Sequence, residues 1–188
     1  MNGRTLFQKI KYVAYFLSFI FRFVPNFVMF FIWDFVSIFE NKAAVLIRYC
    51  IIRSKSRSCG DNIYIGKYVT IKSIEFLSIG DNVSIHNYCY IDASGGIEIH
   101  DNVSLAHGST ILSSTHTWDS MEIPIKYNKP KYVKTIINSD VWIGCGVRIM
   151  AGIVIGKRVI IGANSICTKS LEDGYIYAGS PARVIKKI

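Results

Sequence analysis

From residue 79 onward an aliphatic side chain returns at every sixth position. Residues 79–96 read IGDNVS, IHNYCY, IDASGG. After a slip of two residues at Ile97-Glu98, residues 99–116 read IHDNVS, LAHGST, ILSSTH. Residues 137–172 read INSDVW, IGCGVR, IMAGIV, IGKRVI, IGANSI, CTKSLE. Ile79, Ile85, Ile91, Ile99, Leu105, Ile111, Ile137, Ile143, Ile149, Ile155, Ile161 and Cys167 therefore share one register. Four positions on runs a looser apolar column that includes Val83, Cys89, Val103, Val141, Val147 and Val159. A period of six is neither that of a helix nor that of a simple amphipathic strand. It predicts a chain that turns a corner every six residues, with short strands as flat faces. Gly, Asn or Asp would take the corners, where positive φ is needed. Three faces close a coil of about eighteen residues, and the lead aliphatics stack rung over rung as a solenoid core.

The first 58 residues follow another pattern. Their uncharged runs, Tyr12–Phe21 and Phe23–Trp33, fall short of the roughly 18 apolar residues of a membrane-spanning helix. The long apolar stretch, interrupted by Arg22 and Asp34 and closed by no small-residue cleavage site, does not read as a secretory signal. The pattern over 5–57 predicts two or three amphipathic helices lying on a membrane or dipping into it, with Pro25 kinking or ending the first. Lys9, Lys11, Arg22, Arg48 and Arg53 would meet anionic headgroups. The alternative is that the aromatics pack on the rest of the chain or on a partner subunit.

Composition sharpens the division. Residues 1–58 hold ten of the eleven Phe and one of the fourteen Gly. They carry nine Lys or Arg against Asp34 and Glu40, a net of +7 out of the overall +9. Positive charge interleaved with Phe, Ile and Val fits lipid better than nucleic acid. The reading is a helical membrane-interface segment over 1–58 and a β-solenoid domain over 59–188. With 51% hydrophobic and 19% charged residues, the chain is neither disordered nor a coiled coil. Its five cysteines form no CxxC pair, which argues against a disulfide scaffold and a structural zinc site and suits a reducing cytoplasm.

The hexads stop at about residue 112 and resume at about 137, leaving a polar insertion, 113–136, with His116 at its start. Long insertions in solenoids mark the working face. A neutral imidazole there can take the proton of an attacking hydroxyl. Such a base needs an orienting partner, and Asp92 and Asp119 are candidates. Asp92, counted back through the slip, falls one coil below His116. His86 and His100 sit in regular hexads and His107 on about the same side as His116. The separations 86–107–116 do not favour a shared metal, and no metal is expected.

The stretch from about 60 to 188 resembles the hexapeptide-repeat acyltransferases. The segment VWIGCGVRIMAGIVIGKRVIIGANSICTKSLEDGYIYAGSPARVIKKI carries the likeness, as it is similar to the C-terminal signature of sugar and polysaccharide O-acetyltransferases. The resemblance implies a mainly β fold, a left-handed parallel β-helix, here with an N-terminal α-helical hydrophobic segment. It implies acetyl-CoA as co-substrate, with Trp142, Gly144, Cys145 (through its backbone), Ala163, Thr168, Lys169, Arg183 and Lys186 at positions that contact it. It also implies His116 as general base, Asn87 as an acceptor-binding residue, and a homotrimer with its sites between subunits. Cys145 stands where the family has Ser, Ala or Asn. The expected function is acetyl transfer to a sugar hydroxyl of a capsule, lipopolysaccharide or exopolysaccharide precursor, lipid-linked oligosaccharide included. It would take place in the cytoplasm, peripheral to the inner face of the cell membrane. The rivals are acetylation of a small soluble acceptor (a free sugar, serine or an antibiotic) and a non-catalytic scaffold.

Overall fold

The computed structural model describes residues 3–188; residues 1–2 of the expected helical segment lie outside them. Three helices, α1 (Gly3–Arg22), α2 (Asn26–Ser37) and α3 (Lys42–Lys55), precede a parallel β-solenoid. Its first face stacks Ser58–Cys59, Leu77–Ile79, Ile97–Ile99, Thr135–Ile137 and Val154–Ile155, to which Leu171 bridges. The second stacks Tyr64–Ile65, Ser84–Ile85, Ser104–Leu105, Trp142–Ile143, Ile160–Ile161 and Tyr175–Ala178, and ends on the antiparallel strand Arg183–Lys187. The third stacks Thr70–Lys72, Tyr90–Asp92, Thr110–Leu112, Arg148–Ile149 and Ile166–Cys167.

The six-residue register holds throughout. All twelve lead positions from Ile79 to Cys167 are buried, as are Val83, Val103, Val141 and Val159. One detail differs. Ile97-Glu98 is not the interruption, because Ile97 is itself a buried strand residue paired with Leu77 and Thr135. The two extra residues sit in the corner Ala93–Gly96, where the Gly96 N–H donates to the Ala93 carbonyl at 2.8 Å.

The glycines after the lead aliphatics do a different task from the one expected. A Cβ on Gly144 would stand 2.7 Å from the Ala163 nitrogen and from the Ile161 carbonyl oxygen, so glycine there lets one coil lie against the next. Positive φ falls two residues later and is mostly taken by other residue types, such as Asn62, Asn82 and Asn102 with φ of 56° to 59°. The short amide side chain tolerates that conformation and can hydrogen-bond locally. Asn62 Nδ2 donates to Asn82 Oδ1 at 2.9 Å, tying successive corners together.

Pro25 ends the first helical stretch as expected: α1 stops at Arg22 and Pro25 caps the start of α2. At α3 the Asn41 side chain accepts the Ala44 N–H at 2.9 Å, the usual N-cap contact. The helices close the first end of the solenoid, and Phe7, Ala14, Tyr49, Cys50 and Ile52 join the same buried core as the coils. Trp33 Nε1 donates to the Val69 carbonyl and Arg48 Nε to the Ile65 carbonyl, at 3.1 and 2.9 Å.

The headgroup expectation is corrected for three of its five residues. Arg48 is fully buried and donates also to the carbonyls of Val36 and Phe39, and burial pulls its guanidinium below its ordinary pKa. Lys11 and Arg53 turn to Asp61, with Arg53 also lying over the Tyr15 ring at 4.0 Å. A charge next to an available carboxylate or carbonyl gains more there than on a distant surface. Lys9 and Arg22 remain exposed. So do many apolar side chains of α1 and α2, among them Phe16, Phe19, Phe23, Phe27, Phe31 and Phe35. No described helix is long and apolar enough to cross a membrane.

Candidate active site

The edge between the second and third faces carries a column of corner residues: Lys67, Asn87, His107, Cys145 and Ala163, one per coil. The carbonyls of Lys67, Asn87, His107 and Cys145 each accept from the coil above, as when Gly146 N–H bonds His107 and Asn164 N–H bonds Cys145, at 3.0 and 2.8 Å. The N–H groups behave differently along it. Lys67 N–H is met by the Asn87 side chain at 3.0 Å. At the equivalent corners between the first and second faces, the N–H groups of Asp61, Asp81 and Lys157 are met by the carboxylates of Asp81, Asp101 and Asp173. The N–H groups of His107, Cys145 and Ala163 have no such partner among the described residues. Asn87 on this edge, and Asp101 and Ser139 on the other, share this lack, so these N–H groups are open to water or to a ligand.

Around this column stand most of the residues expected to hold a donor. Trp142 is 51% exposed on the second face. Gly144 leaves the strand surface open, and Cys145 is half-buried beside it. Arg183 pairs with Ala178 and Lys186 with Ile176 on the closing strand, both cations exposed. Thr168 and Lys169 are exposed too, but at the far side of the third face, where the chain turns to the first. The structure thus gathers Trp142, Gly144, Cys145, Ala163, Arg183 and Lys186 on one edge and leaves Thr168 and Lys169 at another.

His116 also belongs to that other edge. The insertion leaves the third-to-first corner as a two-stranded antiparallel ribbon, Ser114–Thr115 with Lys131–Tyr132. His116 follows at once, exposed, its imidazole without a hydrogen bond among the described residues. Asp119 lies exposed further along the insertion, which Asn128 fastens by accepting the Ser120 N–H at 2.9 Å and donating to the Ser120 and Pro124 carbonyls. Nothing in the hexad pattern points to Asn128, because its partners lie within the insertion. The apolar side chains Trp118, Met121, Ile125 and Tyr127 of the insertion are exposed.

Of the two expected partners of His116, Asp119 is exposed and Asp92 is committed elsewhere. Asp92 Oδ1 accepts from the Ser94 N–H and hydroxyl, and Oδ2 from the Ser114 hydroxyl at 2.7 Å. Burial raises the Asp92 pKa, but these hydrogen bonds outweigh it and hold the carboxyl below its ordinary value. Asp92 therefore fixes the strand that leads to His116. Asn87, besides meeting Lys67, donates to Glu40 at 3.2 Å. His107 is not on the side of His116 but in the donor column, next to Cys145. Burial first, and then the neighbouring His107, lower the pKa of His86 on the same edge. The six-residue count shows His107 and Cys145 in one column once the insertion is removed. No group of three His, Cys, Asp or Glu among the described residues is arranged to hold a metal.

Stacked hexads, a closing C-terminal strand and one histidine-bearing insertion define a fold class: parallel β-solenoids built from six-residue repeats. The family model described as bacterial transferase hexapeptide (six repeats) matches residues 134–169. The putative lipopolysaccharide biosynthesis O-acetyl transferase WbbJ of Escherichia coli K12 is 31% identical over 127 residues, covering 68% of this chain and 58% of that protein. Galactoside acetyltransferase in complex with coenzyme A superimposes with a TM-score of 0.75 at 28% identity, covering 83% of this chain and 77% of that one. A maltose O-acetyltransferase from Clostridium difficile 630 does so at 0.71 and 27%, covering 97% and 88%. The chain spans 29% to 58% of the length of three curated relatives it matches. In repeats and in fold it is similar to the hexapeptide-repeat acyltransferases.

Proposed function

We propose that this chain is an acetyl-CoA-dependent O-acetyltransferase acting on a sugar hydroxyl of a surface-polysaccharide precursor. The observation that carries the reading is the run of unpaired N–H groups at His107, Cys145 and Ala163, opened by Gly144 and flanked by Trp142 and Arg183. A pantetheine arm offers amide carbonyls to such donors, and its phosphates suit Arg183 and Lys186. The names of similar proteins, a galactoside O-acetyltransferase, a maltose O-acetyltransferase and a putative lipopolysaccharide biosynthesis O-acetyl transferase, support the reaction class.

In this reading neutral His116 takes the acceptor hydroxyl proton while the oxygen attacks the thioester carbonyl carbon. The oxyanion of the tetrahedral intermediate is met by a backbone N–H, for which Cys145 N–H is the candidate. Collapse breaks the carbon–sulfur bond and the departing thiolate regains the proton from the imidazolium. His116 and the donor column lie on different edges of one chain, so the site is completed between copies, as in a homotrimer. The exposed Trp118, Met121, Ile125 and Tyr127 of the insertion fit such a contact. The exposed phenylalanines of α1 and α2 support peripheral attachment at the cytoplasmic face of a membrane, beside a lipid-linked acceptor.

The decisive measurement is acetyl-CoA binding by thermal shift for wild type and Arg183→Ala. A ligand at a hundredfold excess over its Kd stabilises by roughly 2.7 kcal/mol. A shift in wild type that Arg183→Ala diminishes supports the donor; no shift at saturating acetyl-CoA rejects it. Release of CoA in the presence of lipid-linked oligosaccharide, absent in His116→Ala, tests the acceptor. Equal turnover after removal of α1 and α2 would favour a small soluble acceptor instead.

A further inference from the structure

A cleft of about 460 Å³ opens between α2, α3 and the first coil. That size lies within the range of small-molecule sites, about 300–1,000 Å³. Its apolar walls are Met29, Trp33, Ile51, Ile71 and Ile74, with Phe30 exposed beside them. Four polar residues also line it, and two of them turn their polar atoms to the protein. Lys55 Nζ donates to the Val24 carbonyl at 2.8 Å, and the Ser73 hydroxyl pairs with that of Ser94 at 3.1 Å. The other two, Asn26 and Glu75, are exposed. The Trp33 N–H is bonded to Val69, so only the hydrocarbon of the indole faces the cleft. With Lys55 and Ser73 paired to the protein, only the exposed Asn26 and Glu75 offer free polar atoms, and the apolar walls suit a hydrocarbon better than a sugar or a nucleotide.

We propose that this cleft takes one hydrocarbon chain of a membrane lipid. It is built in part by α2, whose Phe30 both lines the cleft and stands exposed, so its mouth lies on the helical segment for which membrane attachment is proposed. The exposed charges of the helical segment include Lys9, Arg22, Lys42 and Arg57 against Asp34 and Glu40, an excess that complements anionic headgroups. The proposal rests on the attachment reading and adds a specific seat to it. Arg48 and Trp33, each tied to coil carbonyls, hold the walls in place.

The test uses the full chain carrying Trp118→Phe and Trp142→Phe, which leaves Trp33 as the single indole. Vesicles of phosphatidylethanolamine and phosphatidylglycerol with brominated acyl chains are the probe. Cosedimentation reads attachment, and quenching of Trp33 reads entry of a chain. The expected result is cosedimentation together with loss of most Trp33 emission. Ile71→Phe, which fills the cleft, should cosediment equally and keep its emission, and Met29→Phe should repeat this if Ile71→Phe fails to fold. Cosedimentation with equal quenching in parent and filled variants would overturn the cleft proposal and leave attachment standing. Failure to cosediment would overturn attachment and the membrane as the source of the chain. A light-scattering mass that falls in Ile71→Phe without lipid would give the cleft to a second copy of this chain.

Discussion

The Asp92 carboxylate accepts the Ser114 hydroxyl at 2.7 Å and so joins one coil of the solenoid to the root of the insertion on the next. Ser114 is two residues before His116, and Ser113 beside it donates to the Asp92 carbonyl at 2.6 Å. Replacing Asp92 by Asn weakens three hydrogen bonds to a charged group and should cost about 1–2 kcal/mol. The folded-state pKa of Asp92 is depressed, so its contribution is present at neutral pH and fades as pH falls through the lowered value. Urea melts should show wild type and Asp92→Asn separated at neutral pH and converging below about pH 4. Turnover should fall in Asp92→Asn while the acetyl-CoA KM stays unchanged.

His116→Ala should lower kcat by about 10²–10⁴-fold, the usual worth of a general base, without changing acetyl-CoA affinity. His107→Ala changes a side chain in the donor column and should act on acetyl-CoA KM instead. Steady-state CoA release measured for both variants separates the two edges. Equal effects of both on kcat would contradict the assignment.

Gly144→Ala would set a methyl group 2.7 Å from the Ala163 nitrogen, forcing the fourth and fifth coils apart. The expected cost is about 1–3 kcal/mol in thermal unfolding, accompanied by loss of the acetyl-CoA-induced shift.

Cys145 is half-buried at the donor edge, whereas Cys50, Cys89 and Cys167 are buried. Burial pushes the thiols of Cys59 and Cys167 up to about 12 and about 11, which suppresses their thiolates. Iodoacetamide at neutral pH should therefore label Cys145 first, and acetyl-CoA should protect it. Mass spectrometry of tryptic peptides reads both. Labelling spread evenly over the cysteines, or unaffected by acetyl-CoA, would contradict the placement of the donor.

The lead aliphatics made the solenoid legible, because a side chain that must point inward on every face recurs at a fixed spacing whatever lies between. Gly144 and Cys145 could be placed for the same reason. The fate of the basic residues in the first segment could not. Arg48 is separated by 17 positions from the Ile65 carbonyl it bonds, and Lys11 by 50 from Asp61, so only the tertiary fold brings them together. The count of sixes puts Asp92 on its coil, but it does not show that Ser94 and Ser114 reach its oxygens before an imidazole can. His107 and His116 lie on different edges because a hexad and a half of chain turns through half a coil.

The two ends of the second face are finished differently. At one, Arg48 of α3 occupies the Ile65 carbonyl; at the other, the outermost strand runs antiparallel and carries Arg183, Lys186 and Lys187. Bare parallel rungs would template one another, and a stack with like rungs at both extremities could grow without limit. Here one extremity is plugged and the other is studded with like charges that repel their own kind. The ends of the solenoid are thereby steered away from end-to-end filaments.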